Sequence, residues 1–290
     1  MKGINYFSRN DAISFQQISF ENTTGISNDT LLKKGLLTIA PNTFTNEDGS
    51  AFSGKVIFSI REDYVRGFMA LNSIPTIDSD GLPLNSEGSI YTNAVDIQGH
   101  KLKIASGKNI DIAMPGGTNA NQNKLYYAED NVSDPSPANT SLFSWKESSS
   151  DSVTYYFDNA AAKFYYKLNP TQLGWISCAR SVSNSNPVGI NVRVWGVHNL
   201  TSGNTAVYVV PVNGKSAIRL WNYDKATNMF SLTQPCLTSG TDVYIIVIAS
   251  TPHFKIYYAK ELYTVGSSSQ KTVTAVEKTL NSIASNLYYL

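Results

Sequence analysis

An all-β chain is predicted, with two tandem antiparallel β-sandwich domains followed by a short C-terminal helix. Three observations predict it. Short segments alternate apolar and polar residues with period two, as in Lys55-Val56-Ile57-Phe58-Ser59-Ile60, where Val56, Phe58 and Ile60 share one face. Such segments recur roughly every eight to twelve residues with turn chemistry between them, which is sandwich spacing. The length of 290 residues exceeds one ordinary sandwich and suits two.

Taken in order, residues 1–23 read as a polar arm or linker, closed by Asn22-Thr23-Thr24-Gly25. Residues 24–127 read as the first sandwich. Leu36-Leu37-Thr38-Ile39 is a strand ahead of Pro41, and Glu47-Asp48-Gly49 is a turn before the strand at 55–60. Ser89-Ile90-Tyr91-Thr92-Asn93-Ala94-Val95 is the next strand, with Asp96-Ile97-Gln98-Gly99-His100 turning after it. Leu102-Lys103-Ile104 and Ile110-Asp111-Ile112-Ala113-Met114 alternate again, until Pro115-Gly116-Gly117 ends the run. Gly49, Gly54 and Gly99 are expected at positive φ.

Residues 128–168 read as a connecting segment. Asp134-Pro135-Ser136-Pro137 and Ser148-Ser149-Ser150-Asp151-Ser152 have loop composition, and Trp145 is expected to anchor the stretch to a neighbour. Val153-Thr154-Tyr155-Tyr156-Phe157 and Phe164-Tyr165-Tyr166-Lys167-Leu168 should pair as a hairpin around Asp158-Asn159.

Residues 169–270 read as the second sandwich. Its strands are Gly174-Trp175-Ile176-Ser177-Cys178, Ile190-Asn191-Val192-Arg193-Val194, Ala206-Val207-Tyr208-Val209-Val210 and Val243-Tyr244-Ile245-Ile246-Val247-Ile248. The last is a near-continuous apolar run, which fits a central strand buried on both faces. Phe254-Lys255-Ile256-Tyr257-Tyr258-Ala259 should pair with it across Thr251-Pro252-His253. In the tail, residues 271–290, Val276, Leu280, Ile283, Leu287 and Leu290 step as one helical stripe. A helix this short is marginal alone, so it must pack on its own sheet or dock in a partner's groove. Leu280 and Leu287 are therefore candidate partner contacts.

Composition narrows the function. Charged residues make up 16% of the chain, against about 25% in an average domain, so Asn, Ser and Thr must build the polar surface. This suits a protein working outside the cytosol. With 23 basic and 22 acidic residues there is no cationic surplus for phosphates, so nucleic acid is not an expected partner. No apolar run approaches the roughly 20 residues of a transmembrane helix. Met1-Lys2-Gly3-Ile4-Asn5 has no apolar signal core, which fits either a cytosolic protein or one whose signal is removed upstream, and the second is expected. The expected location is extracellular, periplasmic or cell-surface, with any membrane anchoring through an N-terminal lipid signal.

No residue set nominates a reaction. His100, His198 and His253 sit in separate segments without metal-ligand spacing and read as loop histidines. There is no Gly-x-Ser-x-Gly elbow and no phosphate-cradling glycine loop. Cys178, between Ile176 and Ala179 on a strand, reads as buried and inert. Cys178 and Cys236 form a single bridge or serve as two buried thiols. Thr251-Pro252-His253-Phe254-Lys255 resembles the His-Phe-Ser site of self-cleaving receptor modules but carries Lys255 in place of the serine nucleophile. Asp78-Ser79-Asp80-Gly81 is half a calcium loop, with Glu87 at position ten rather than twelve; turn chemistry accounts for it equally. No catalytic residue, cofactor or metal is expected.

Aromatics remain. Trp145, Trp175, Trp195 and Trp221, with the pairs Tyr126-Tyr127, Tyr155-Tyr156, Tyr165-Tyr166 and Tyr257-Tyr258, either fill cores or form a stacking surface. Trp221 and Tyr223, in Arg219-Leu220-Trp221-Asn222-Tyr223-Asp224 beside a turn, are the candidate ligand contacts, and Trp221 is the indole expected to be exposed.

Several segments carry a family resemblance. They are Leu37-Thr38-Ile39-Ala40-Pro41-Asn42-Thr43-Phe44, Glu47-Asp48-Gly49, Ser53-Gly54-Lys55-Val56, Arg61-Glu62, Ser86-Glu87-Gly88-Ser89-Ile90-Tyr91 and the stretch from Val95 to Leu102. Together they resemble a domain of secreted and lipid-anchored Bacteroidota proteins, itself distantly similar to the ZU-type sandwich of ankyrins and netrin receptors. Leu173-Gly174-Trp175-Ile176-Ser177-Cys178-Ala179-Arg180 resembles the Leu-Gly-Trp-Ile-Asn-Cys-Asp-Arg opening of their second domain. Ala179 stands where that family has Asp, which leaves Arg180 without its usual acid. The resemblance implies an exported two-sandwich protein with no catalytic residues to carry over.

The leading expectation is a non-enzymatic envelope or extracellular module making protein–protein or matrix contacts. A carbohydrate-binding module using exposed Trp and Tyr is the alternative. A hydrolase built from scattered carboxylates comes last.

Overall fold

The computed structural model describes residues 15–72, 74–117, 122–128, 144–232, 234–253, 255–266 and 269–290. Among the described residues strands dominate, and two short helices accompany them. The first thirteen strands are β1 (Gln16–Glu21), β2 (Ile26–Thr30), β3 (Leu36–Ile39), β4 (Phe44–Asn46), β5 (Lys55–Asp63), β6 (Leu84–Asp96), β7 (Leu102–Ile104), β8 (Ile110–Pro115), β9 (Lys124–Ala128), β10 (Trp145–Glu147), β11 (Val153–Asp158), β12 (Lys163–Leu168) and β13 (Gly174–Ser181). Then come β14 (Pro187–Val188), β15 (Ile190–Trp195), β16 (Thr205–Pro211), β17 (Ile218–Arg219), β18 (Asn222–Asp224), β19 (Met229–Ser231), β20 (Leu237–Thr238), β21 (Asp242–Ser250), β22 (Ile256–Thr264), β23 (Ser269–Thr274) and β24 (Val276–Glu277). Helix α1 (Arg66–Leu71) lies between β5 and β6, and α2 (Leu280–Tyr288) follows β24.

In the first unit a six-stranded sheet, β1-β5-β6-β13-β9-β10, faces a five-stranded one, β11-β12-β8-β3-β2. Period-two alternation explains the core. Val56, Phe58 and Ile60 of β5 point inward beside Ile90 and Ala94 of β6, Ile176 and Cys178 of β13, and Ile110, Ile112 and Met114 of β8. The same strands send Tyr91 and Trp175 to the other face, where they join Tyr126, Trp145 and Met69 of α1 in a second buried cluster. Trp145 is fully buried and its indole N–H donates to the Pro75 carbonyl at 2.6 Å, so it does tie its segment to a neighbour.

In the second unit β18-β19-β15-β23 faces β17-β16-β21-β22-β24. Strand β21 is the central member of its sheet, buried along nearly its whole length, as its apolar run predicts. The hairpins β11–β12 and β21–β22 pair as expected. Phe254 lies outside the described residues, as do Asp134-Pro135-Ser136-Pro137. One pairing departs from the antiparallel expectation: β23 runs parallel to β15, from Ile190↔Ser269 to Trp195↔Thr274.

The strand partition differs from the expected domain boundaries. β13, expected to open the second sandwich, inserts between β6 and β9 of the first. The hairpin β11–β12, expected as a connector, extends the first unit's other sheet by pairing with β8. The first unit therefore runs to Ser181. Residues 16–21, expected as arm, form edge strand β1 against β5, with Ile18 and Phe20 packed on the core; residues 1–14 lie outside the described part. Asn22 ends that strand as a buried pin. Its side-chain N–H groups donate to the Phe44 and Phe52 carbonyls, and its Oδ1 accepts from the Phe44 N–H. Gly49 and Gly99 take positive φ, at 91° and 87°. Gly54 does not; it is glycine because a Cβ there would meet the Phe52 ring at 2.9 Å.

The predicted tail helix is shorter than its stripe. Residues 269–277 stay extended because β23 pairs with β15 and β24 with β22, and Thr279 caps α2 by accepting from the Ser282 N–H. Val276 is thus an exposed strand residue. Ile283 and Leu287 pack onto the outer face of the second unit's five-stranded sheet, against Tyr208, Val210, Ile246 and Ile248. Helix α1 sits at the junction: Met69 contributes to the first unit's aromatic cluster, while Ala70 and Leu71 join the α2 cluster. A six-residue helix leaves too short a periodic signal to be seen in sequence.

Directional bonds complete the junction. The Arg66 guanidinium donates to the carbonyls of Pro211 and Gly214. Ser216 Oγ donates to the Leu84 carbonyl at 2.8 Å, and Thr76 Oγ1 accepts from the Ala217 N–H at 2.6 Å. Lys215 pairs with Glu87, and Gln234 donates to the Asp80 carbonyl.

Candidate functional site

The candidate contacts Trp221 and Tyr223 are taken up by the fold. Trp221 is half-buried, with the Arg219 guanidinium 3.8 Å from its ring centroid. The Tyr223 ring lies 4.6 Å from Phe230 of the second core, and its hydroxyl donates to Asn228 Oδ1. Leu287 is fully buried and Leu280 partly buried against the same sheet. The expectation of an exposed Trp221 is therefore corrected: the exposed indole is Trp195, 58% accessible.

Trp195 ends β15, and the register shows what surrounds it. Ile190, Val192 and Val194 point into the core, so Asn191, Arg193 and Trp195 point outward. Across the sheet Asn191 aligns with Ser231 and Gln270, Arg193 with Met229 and Thr272, and Trp195 with Thr274. Strand β18 adds Asn222 and Asp224 at the edge. The outer face is thus a platform of amides and hydroxyls with Arg193, Asp224, Met229 and the Trp195 indole among them. Asn191, Asn222, Gln270, Thr272 and Thr274 are exposed, and Arg193 is half-buried. The Arg193 Nε is buried without a hydrogen-bond partner among the described residues. Lys271, on the opposite face of β23, pairs with Glu261 at 2.9 Å.

A cleft of about 590 Å³ opens over the first unit, between Lys101, Lys103, Tyr127 and Gln172. Tyr91 and Trp175 also line it, but both rings are buried in the aromatic cluster and offer no free face. Tyr127 is engaged too, donating to Asp151 Oδ2 at 2.6 Å and accepting from the Thr171 N–H.

Buried charge concentrates at the end of β5. Arg61 and Asp63 form a buried ion pair, with 2.7 Å between Nη2 and Oδ2. The guanidinium lies 5.2 Å from the Trp175 ring, and Asn72 donates to Asp63 Oδ1. Glu62 accepts from the Lys33 N–H at 2.8 Å and from the Tyr64 hydroxyl at 2.5 Å. Burial pushes the carboxyls of Glu62 and Asp63 above their usual range. Strand alternation sends these two neighbouring acids to opposite faces of the sheet, so they do not face each other across a substrate-sized gap.

The remaining motifs are structural. Asp78 Oδ1 accepts from the Asp80 and Leu82 N–H groups and Oδ2 accepts from Ser181 Oγ, so both oxygens are spent closing a turn. His100 Nδ1 lies 2.8 Å from Asp96 Oδ2 in an exposed turn; His198 and His253 are exposed. Cys178 lies in the first core and Cys236 in the second, both free, which rules out a bridge between them. Burial raises both thiols, Cys236 to about 11. Among the described residues no group of three or more His, Cys, Asp or Glu is placed to hold a metal ion. No described helix is long and apolar enough to cross a membrane. In comparisons with known proteins, no family model matches the chain and no curated protein is significantly similar to it.

Proposed function

We propose that the chain is a non-catalytic module, working at the cell envelope or outside the cell, that binds or braces a protein or surface polymer. One observation carries this reading: apolar packing and directional hydrogen bonds join the two units at their junction. An interdomain contact within one chain permits relative motion by default unless it is large and apolar. Here α1 presents apolar side chains to both units, α2 seals it from the outside, and Arg66, Thr76 and Ser216 add directional bonds across the seam. Such a junction serves a spacer or a two-faced binder. The charge-poor, Asn-, Ser- and Thr-rich composition supports placing it outside the cytosol.

Cosedimentation tests the proposal. Purified protein is mixed with insoluble cell-wall and extracellular-matrix preparations and assayed in parallel against generic ester, glycoside and peptide substrates. Retention in the pellet without turnover is the expected result. Turnover without retention would overturn it.

A further inference from the structure

The outer face of β18-β19-β15-β23 sets an accessible indole, Trp195, at the end of an exposed row of amides and hydroxyls. It holds one arginine, Arg193, and one aspartate, Asp224, so its charge balances, and Lys271 is turned away to Glu261. A balanced face does not attract a polyanion or a polycation. Around Arg193 stand Asn191, Gln270 and Thr272, side chains that donate and accept at once. Neighbouring strands lie about 4.8 Å apart and same-face residues about 7 Å apart, which sets these groups out as a regular lattice. Trp195 closes one end with an accessible indole, and half-buried Arg193 stands two residues along the same strand face. A ligand that matches must be uncharged, rich in hydroxyls, extended and able to lay an aliphatic ring face on an aromatic one.

We propose that this face binds a neutral polysaccharide chain. A sugar ring stacks on Trp195, and hydroxyls of neighbouring residues bond to Asn191, Arg193 and Gln270. The inference rests on the reading of the chain as a non-catalytic binding module and names the ligand class of one of its faces. It places the sugar contact on Trp195, not on Trp221, whose ring is already covered by Arg219.

Affinity electrophoresis of the full chain tests it, in gels containing soluble mixed-linkage β-glucan, xyloglucan, galactomannan or α-mannan, with alginate and heparin as anionic arms. At least one neutral polymer is expected to retard the protein. Trp195→Ala should weaken that retardation at least about tenfold, and Asn191→Ala should weaken it measurably, with the melting temperature unchanged in both. Trp145 and Trp175 are buried and Trp221 is half-covered, so ligand should also perturb the most solvent-exposed part of the indole emission. Retardation by no neutral polymer, retardation only by alginate or heparin, or neutral binding that survives Trp195→Ala would each overturn the proposal. Pelleting with wall or matrix material that persists in Trp195→Ala would sink this face's role while leaving the binding-module reading intact.

Discussion

Gly67 of α1 lies against the backbone of Leu287 in α2. A Cβ on Gly67 would stand 2.7 Å from the Leu287 carbonyl carbon and closer still to its oxygen. The obstruction is main chain, which cannot swing aside as a flexible side chain would. This contact sets how near the two helices approach, and with it how tightly α2 closes over the junction.

Gly67→Ala should therefore destabilise the protein by about 2 kcal/mol or more, as overpacking does. Ala favours a helix interior over Gly by about 1 kcal/mol, so an open site would show the opposite sign. Urea unfolding of the two proteins decides it; a raised midpoint in the variant would remove the close contact from the account.

Leu287 and Leu280 share a helix and differ in burial. Truncating the fully buried Leu287 to Ala should cost about 3 kcal/mol, the usual range for a core leucine. The same change at the partly buried Leu280 should cost about 1 kcal/mol or less, since less apolar area leaves the core. Equal costs at the two positions would mean that α2 seats differently on its sheet.

The Arg61–Asp63 pair should be sensitive to losing one partner and tolerant of losing both. Asp63→Asn leaves a buried guanidinium beside Trp175 without its countercharge, at a cost of about 3–5 kcal/mol. Arg61→Met with Asp63→Leu removes both desolvated charges and should cost clearly less. Chemical denaturation of the single and double variants gives the comparison; additive losses would contradict it.

Glu62 ties stability to pH. Its folded carboxyl is raised above 4.5, chiefly by burial, with the bonds from Tyr64 and Lys33 opposing. The folded state then holds the proton more strongly than the unfolded chain. Its contribution is largest below the unfolded value and falls as pH rises from there through the folded one. The stability of Glu62→Gln relative to the native protein should thus increase between about pH 4 and pH 7. Denaturation midpoints across that range read the effect, and a difference that shrinks with rising pH would reverse the assignment.

Strand chemistry was legible residue by residue. Period-two runs located β5, β7 and β8, short apolar runs located β3 and β16, the apolar stretch at 243–248 marked a central strand, and Asp96 with Gly99 marked a turn. The position of Trp195 was also readable, because Asn191-Val192-Arg193-Val194-Trp195 alternates and places the indole on the polar side. The polar alternation of Gln16, Ile18 and Phe20 was a weaker signal for β1.

The amino-acid sequence by itself determined an all-β protein with a short closing helix, because alternation, turn residues and helical spacing act over a few neighbouring residues. Tertiary structure alone decided that Gly174–Ser181 belongs to the first sheet, that β23 joins β15 in parallel, and that α1 is clasped between the units. A strand's own pattern states which of its faces is apolar. Which edge it joins depends on segments up to a hundred residues away, whose competition for the same hydrogen bonds is settled only when the whole chain packs.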